Sequence, residues 1–101
     1  MNVATDGVLL TPDIDELVQK KLNQKLDKYL SHLPSDTKQA EVRLKRQSRW
    51  GFKVTFDVTL PGGKHIHAEE INKELNAAIT IVSEEAERQL RREKERLDPS
   101  K

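Results

Sequence analysis

Glu41-Val-Arg-Leu-Lys45, Phe52-Lys-Val-Thr-Phe-Asp-Val-Thr-Leu60 and His65-Ile-His-Ala-Glu69 together make the stretch whose reading decides the fold. Its hydrophobic period is two. Val42 and Leu44 alternate with Glu41, Arg43 and Lys45, and Phe52, Val54, Phe56, Val58 and Leu60 alternate with Lys53, Thr55, Asp57 and Thr59. Successive side chains of a strand point to opposite faces, so this pattern puts one face of each strand on a core and the other in water. Pro61-Gly62-Gly63 reads as a hairpin turn, with Ile66 and Ala68 alternating against His65, His67 and Glu69 in a shorter strand beyond it. Ser48-Arg49-Trp50-Gly51 reads as the loop between the first two strands.

On either side the period becomes helical. Thr11-Pro12-Asp13 is a helix start, with a hydroxyl N-cap, proline at the first position, and Asp13, Asp15 and Glu16 near the positive end of the dipole. Ile14, Leu17, Val18, Leu22, Leu26, Tyr29, Leu30 and Leu33 continue at helical spacing until Pro34-Ser35-Asp36 ends the helix. A second helix is expected from near Asn72, with Leu75, Ala78, Ile79, Val82, Ala86, Leu90 and Leu97 on one stripe. Residues 2–9 alternate weakly, as a short first strand. The expected fold is therefore α+β in the order β-α-β-β-β-α: a four-stranded mixed sheet with two helices packed on one face. The first strand reaches the second through a helix, which predicts a parallel pair with a right-handed crossover, followed by an antiparallel meander.

The chain has 101 residues, enough for one core, and the expectation is a single domain over residues 1–97 with a loose tail at 98–101. Hydrophobic and charged residues each make up 35%, which predicts a thin core under a heavily charged surface. There is no cysteine, which excludes a disulfide framework and a thiolate zinc site. No stretch resembles a signal peptide or a membrane span, so the expectation is a cytoplasmic protein without a membrane partner. The net charge of +1 is close to neutral, but its distribution is uneven. Lys38, Arg43, Lys45, Arg46, Arg49 and Lys53 stand against the single acid Glu41. Clustering of that kind favours electrostatic capture of a phosphate backbone.

Three basic groups are candidates for that role, and each has a plainer reading as solvated surface. Lys21, Lys25 and Lys28 fall within about 60° of one another on an α-helix, as a ridge beside the apolar stripe. Arg88, Arg91 and Arg92, with Lys94 and Arg96 beyond, line the second helix. There, Glu84–Arg88, Glu87–Arg91 and Arg91–Glu95 are the expected intrahelical i,i+4 pairs. Arg43, Lys45 and Lys53 share the wet face of the sheet by strand parity, with Arg46 and Arg49 at its edge. Trp50 either stacks on a base or, more ordinarily, covers the edge of the core. His65 and His67 share one strand face, where two imidazoles can meet one metal. Their nearby carboxylates, Asp57 and Glu69, do not stand out by spacing, so the reading is two solvated histidines and no metal site. Gly62-Gly63 does not precede a helix, and no hydroxyl or carboxylate has an identifiable acid or base partner. The expectation is a chain that is not an enzyme, has no cofactor or small-molecule substrate, and is monomeric when free.

Leu10-Thr-Pro-Asp-Ile-Asp before the first helix, Gln24-Lys-Leu-Asp-Lys-Tyr29 within it, and Ala77-Ala-Ile79 with Glu87-Arg-Gln-Leu90 in the second, taken in that order, resemble the ribosome hibernation promoting factors. That family is also called ribosome-associated inhibitor A or the sigma-54 modulation protein family. The resemblance covers essentially the whole chain and looks like the short form. It implies a double-stranded-RNA-binding-domain-like fold on the small ribosomal subunit, occupying the channel of messenger RNA and tRNA and so blocking translation under stress. Lys25 and Lys28 match the family's paired lysines, and Arg88 and Arg92 match its basic positions. The chain departs from the family at Glu74-Leu75-Asn76, which lacks the family's tyrosine, and at Glu84, Glu85 and Glu87, where the family is more basic. The resulting expectation is an RNA-binding set of Lys21, Lys25, Lys28, Arg43, Lys45, Arg88, Arg91 and Arg92, directed at small-subunit rRNA. The alternatives are a protein–protein adaptor using the open sheet face and, by analogy of fold alone, a general duplex-RNA binder.

Overall fold

The computed structural model describes residues 2–24, 26, 40–47, 51–60 and 64–97, without the side chains of Asn2, Asn23 and residues 94–97. The elements follow the expected order: β1 (Asn2–Asp6), α1 (Pro12–Val18) running into a π-helical segment (Gln19–Gln24), β2 (Glu41–Gln47), β3 (Gly51–Thr59), β4 (His65–Asn72) and α2 (Leu75–Leu97). One sheet has the strand order β1-β2-β3-β4. β1 runs parallel to β2, with Val3 opposite Val42, and β2, β3 and β4 form the antiparallel meander.

The alternation of period two becomes burial directly. Val42, Leu44, Val54, Phe56, Val58, Ile66 and Ala68 are buried on one face, beneath Val18, Leu22 and Leu26 of the first helical region and Leu75, Ala78, Ile79, Val82, Ala86 and Leu90 of α2. Phe56 is the largest fully buried side chain among the described residues. Among the described residues Ser83 is the buried polar exception, and its hydroxyl donates to the Thr80 carbonyl at 2.7 Å, so the helix satisfies it locally.

Local chemistry sets the ends of the elements. Thr11 Oγ1 accepts from the Ile14 amide at 3.3 Å, Pro12 opens α1, and Asp13 and Asp15 lie in its first turn, as expected. β1 stops at Asp6, three residues short of the expected end, because Gly7 turns with φ +72° where a Cβ would also come within 3.3 Å of the Arg46 Cβ. Beyond Val18 the winding differs from the expected α-helix. Val18, Leu22 and Leu26 are buried at intervals of four, and at that spacing an α-helix carries each one about 40° further round. The wider π-turn over Gln19–Gln24 reduces that drift and keeps these residues over the sheet.

α2 begins at Leu75, not near Asn72, because β4 keeps pairing with β3 as far as Phe52 opposite Asn72. Asn72 Oδ1 then accepts from the Glu74 amide at 3.0 Å and turns the chain into the helix. Gly51, expected in the loop, opens β3 opposite Gln47, where a Cβ would meet the Asn72 carbonyl oxygen at 3.1 Å. At the other end of β3, the Leu60 amide donates to the Lys64 carbonyl at 2.7 Å and closes the β3–β4 hairpin. The loop residues 48–50 and the turn residues 61–63 lie outside the described residues, as do helix one beyond Leu26 and the tail at 98–101.

Candidate nucleic-acid interface

Helices cover one side of the sheet and leave the other open, so the basic residues fall on two separate surfaces. Arg88 and Arg91 project from the side of α2 opposite its buried stripe, and Arg92 from its β4 flank, beside Lys64, His65 and Gln89. Taking Val82 as the centre of that stripe, they point about 180–280° around the helix. All three are exposed. Arg43 and Lys45, also exposed, stand on the open face of the sheet, with β2 and β3 between them and the helices. Of the eight expected residues, those on α2 and those on the sheet therefore do not converge on one patch.

On α2 the pairing differs in part from the expectation. Arg88 donates to Glu85 at 2.8 Å, three residues back, instead of pairing with Glu84. Glu85 lies nearer the β4 side of the helix, where it also accepts from Gln89 at 3.2 Å. Arg91 pairs with Glu87 at 3.5 Å, as expected; the side chains of Glu95 and Arg96 lie outside the described residues. In both pairs the acid sits low and the arginine reaches outward. Glu85 and Glu87 are 41% and 14% exposed, against 64% for Arg88 and 59% for Arg91. A guanidinium that projects past its partner presents its planar fork to a phosphate, and Arg92 stands exposed beside the row.

Lys21 is exposed on the π-helical segment, with Lys20 next to it in a 3.4 Å pair with Glu16. Lys25 and Lys28 lie outside the described residues. The 60° arc expected for the three lysines assumed α-helical winding, and this does not hold across Gln19–Gln24. Arg49 and Trp50 also lie outside the described residues. Arg46 is exposed at the Gly7 end of β2.

The open sheet face is a shallow concavity of about 520 Å³ lined by Glu41, Arg43, Lys45, Lys53, Thr55, Asp57, His65, His67 and Glu69. Most of its charges are matched across and along the strands. Arg43 pairs with Glu41 at 3.2 Å and Lys53 with Glu69 at 3.1 Å. Lys45 forms no ion pair among the described residues. Asp57 accepts from both histidines, His65 Nε2 at 2.8 Å and His67 Nδ1 at 2.6 Å. Partial burial would raise the Asp57 carboxyl, but the hydrogen bonds from His67 and His65 outweigh it and hold the carboxyl below the ordinary aspartate value. Spacing alone did not single out Asp57. The cross-strand register, with Asp57 opposite His67, is what joins it to the two histidines.

The sequence profile of the Sigma 54 modulation protein / S30EA ribosomal protein family matches residues 1–98. The chain belongs to that family. Among members of the Sigma 54 modulation protein / S30EA family, it is 31% identical over 94 residues to a ribosome hibernation promotion factor of Staphylococcus aureus (strain COL). That match covers 92% of this chain and 47% of the relative, so the chain spans about half the length of the curated relative it matches. The crystal structure of the Thermus thermophilus Protein Y N-terminal domain superposes with a TM-score of 0.69 at 30% identity, covering 91% of this chain and 98% of that one. A ribosomal subunit interface protein from Coxiella burnetii shares the fold, with a TM-score of 0.68 at 20% identity over 92% of this chain and 94% of its own. Among the described residues no helix is long and apolar enough to cross a membrane.

Proposed function

We propose that this domain binds the small ribosomal subunit in the channel used by messenger RNA and tRNA, and lowers translation by occupying it. The observation that carries this reading is the outward arginine row of α2, on a chain matched to the S30EA family from residue 1 to 98. One relative is named a ribosome hibernation promotion factor and a structural neighbour a ribosomal subunit interface protein, which supports a ribosomal partner. The mechanism is steric and electrostatic. Arg88, Arg91 and Arg92, with Lys21 on the π-helical segment and the sequence-expected Lys25 and Lys28, contact phosphates and release their condensed counterions. A rigid body held in this way reads backbone shape, not base sequence. Arg43 and Lys45 contribute less, because Glu41, Asp57 and Glu69 share their sheet face.

An adaptor role would use the open sheet face or the β4 edge. The β4 edge is partly occupied, since Gln89 Nε2 donates to the His67 carbonyl at 2.7 Å from α2. Co-sedimentation with small subunits and whole ribosomes at two salt concentrations tests the proposal. Salt-sensitive co-migration that is weakened by Arg88→Glu/Arg92→Glu is expected. A protein that stays at the top of the gradient at low salt overturns it and turns the search to protein partners.

A further inference from the structure

Asp57, His65 and His67 are hydrogen-bonded neighbours whose arrangement is also that of a ligand set. One ligand atom from each lies within 4.8 Å of the other two. All three stand on paired strands, with Asp57 on β3 directly opposite His67 on β4, and His65 two residues along on the same face. Strands hold such groups more rigidly than loops do. The rings of His65 and His67 are stacked at 22°, with centroids 6.4 Å apart, so both imidazoles already face the same carboxylate.

The geometry points to a divalent transition-metal site made of Asp57 Oδ1, His65 Nε2 and His67 Nδ1, of the Zn2+ or Ni2+ class. Two imidazoles and a carboxylate suit these borderline ions, whereas Mg2+ and Ca2+ prefer oxygen ligands throughout. Zinc–ligand bonds of about 2.0–2.2 Å separate neighbouring ligands by about 3.4 Å in a tetrahedral site. The histidine–aspartate contacts of 2.8 and 2.6 Å therefore need to open by about 0.6 and 0.8 Å to reach that ligand spacing and admit the ion.

The proton balance is also provided for. Facing an ionised carboxylate, His65 carries its proton on Nε2 and accepts at Nδ1 from Thr59 Oγ1, 3.2 Å away. When Nε2 binds the ion, the ring changes tautomer. Its proton then sits on Nδ1 and is donated to the same Thr59 oxygen, which can accept as well as donate. That second bond is the kind that fixes the tautomer and orientation of metal-bound histidines. His67 makes the corresponding change by protonating Nε2, which has no partner among the described residues. With three protein ligands on an exposed face, water completes the coordination. The ion adds two positive charges to a surface where Glu41, Asp57 and Glu69 otherwise balance Arg43, Lys45 and Lys53.

The test uses the tag-free full chain with Zn2+ or Ni2+ as the only added ligand, and is independent of any ribosome. Calorimetry should give one saturable site per chain. In NMR spectra, Zn2+ should shift the ring signals of His65 and His67 and spare those of His32, while paramagnetic Ni2+ should broaden amides around positions 57 and 65–67. Asp57→Asn should weaken binding at least about tenfold, and His65→Gln/His67→Gln should abolish it. The circular dichroism of each variant should match the parent, since all three side chains are partly exposed and none belongs to the core. The site is overturned if no saturable binding is seen, if the double variant binds as the parent does, or if the perturbed signals are those of His32.

Discussion

The open face of the sheet and the outer surface of α2 both mix acids with bases, yet they present charge in opposite ways. On the sheet the partners stand level: Glu41 is 49% exposed beside Arg43 at 61%, and Glu69 at 41% exceeds Lys53 at 33%. A phosphate approaching there meets carboxylates as soon as it meets cations. On α2 the paired glutamates, Glu85 and Glu87, lie along the flanks and their arginines rise past them, so that with Glu84 as the one exposed acid between Arg88 and Arg91 among the described side chains the outer surface stays a cationic crest. Net charge, +1 for the whole chain, says little about either surface. The height of each charge above the backbone matters more, and that follows from which flank of a helix or which row of a sheet it occupies.

Several experiments would break or sharpen that contrast. The largest effect should come from the layer that separates the two surfaces. Phe56→Ala leaves a cavity under both helices and should cost about 3–5 kcal/mol in chemical denaturation. Thr55→Ala, next to it but facing water, should change stability by less than about 0.5 kcal/mol. Comparable losses at the two positions would mean that the sheet does not have one buried and one open face.

The next largest effect should be at α2. Arg88→Glu/Arg92→Glu should weaken association with small subunits about a hundredfold and reduce the salt slope by about two, as expected for two lost phosphate contacts. Arg43→Glu/Lys45→Glu should cost far less, and an equal loss would move the interface to the sheet. Thr11→Ala should destabilise the fold by about 1 kcal/mol through loss of the α1 cap, with ribosome affinity unchanged once folding is corrected for. The smallest effect tests the low glutamates directly. Glu85→Gln removes the Arg88 partner, and should lower stability by only about 0.2–0.5 kcal/mol while tightening salt-sensitive association.

Much of the fold was legible because hydrophobic period maps so directly onto burial. The alternation from Val42 to Ala68 gave the meander and its core face, and Thr11-Pro12 gave the first helix start. Other features were set by tertiary pairing that the local pattern does not reveal. The π-helical turn depends on where the sheet lies beneath Val18, Leu22 and Leu26. The late start of α2 depends on β4 pairing out to Asn72, although the spacing from Asn72 onward already resembled a helix. The candidate interface was legible residue by residue but not as a surface: parity placed Arg43 and Lys45 on the wet face opposite the helices, yet the expected binding set still gathered them with the α2 arginines. Asp57 was likewise visible as a nearby carboxylate, but only the register brings it to both histidines.

The most direct test of the central claim compares the two charge-reversal pairs, Arg88→Glu/Arg92→Glu and Arg43→Glu/Lys45→Glu, in one co-sedimentation series with small ribosomal subunits at low and near-physiological salt. The α2 crest predicts that the parent and the sheet variant sediment with the subunit and are released by salt, while the α2 variant stays behind at both concentrations. Retention of the α2 variant, with loss confined to the sheet variant, would contradict it.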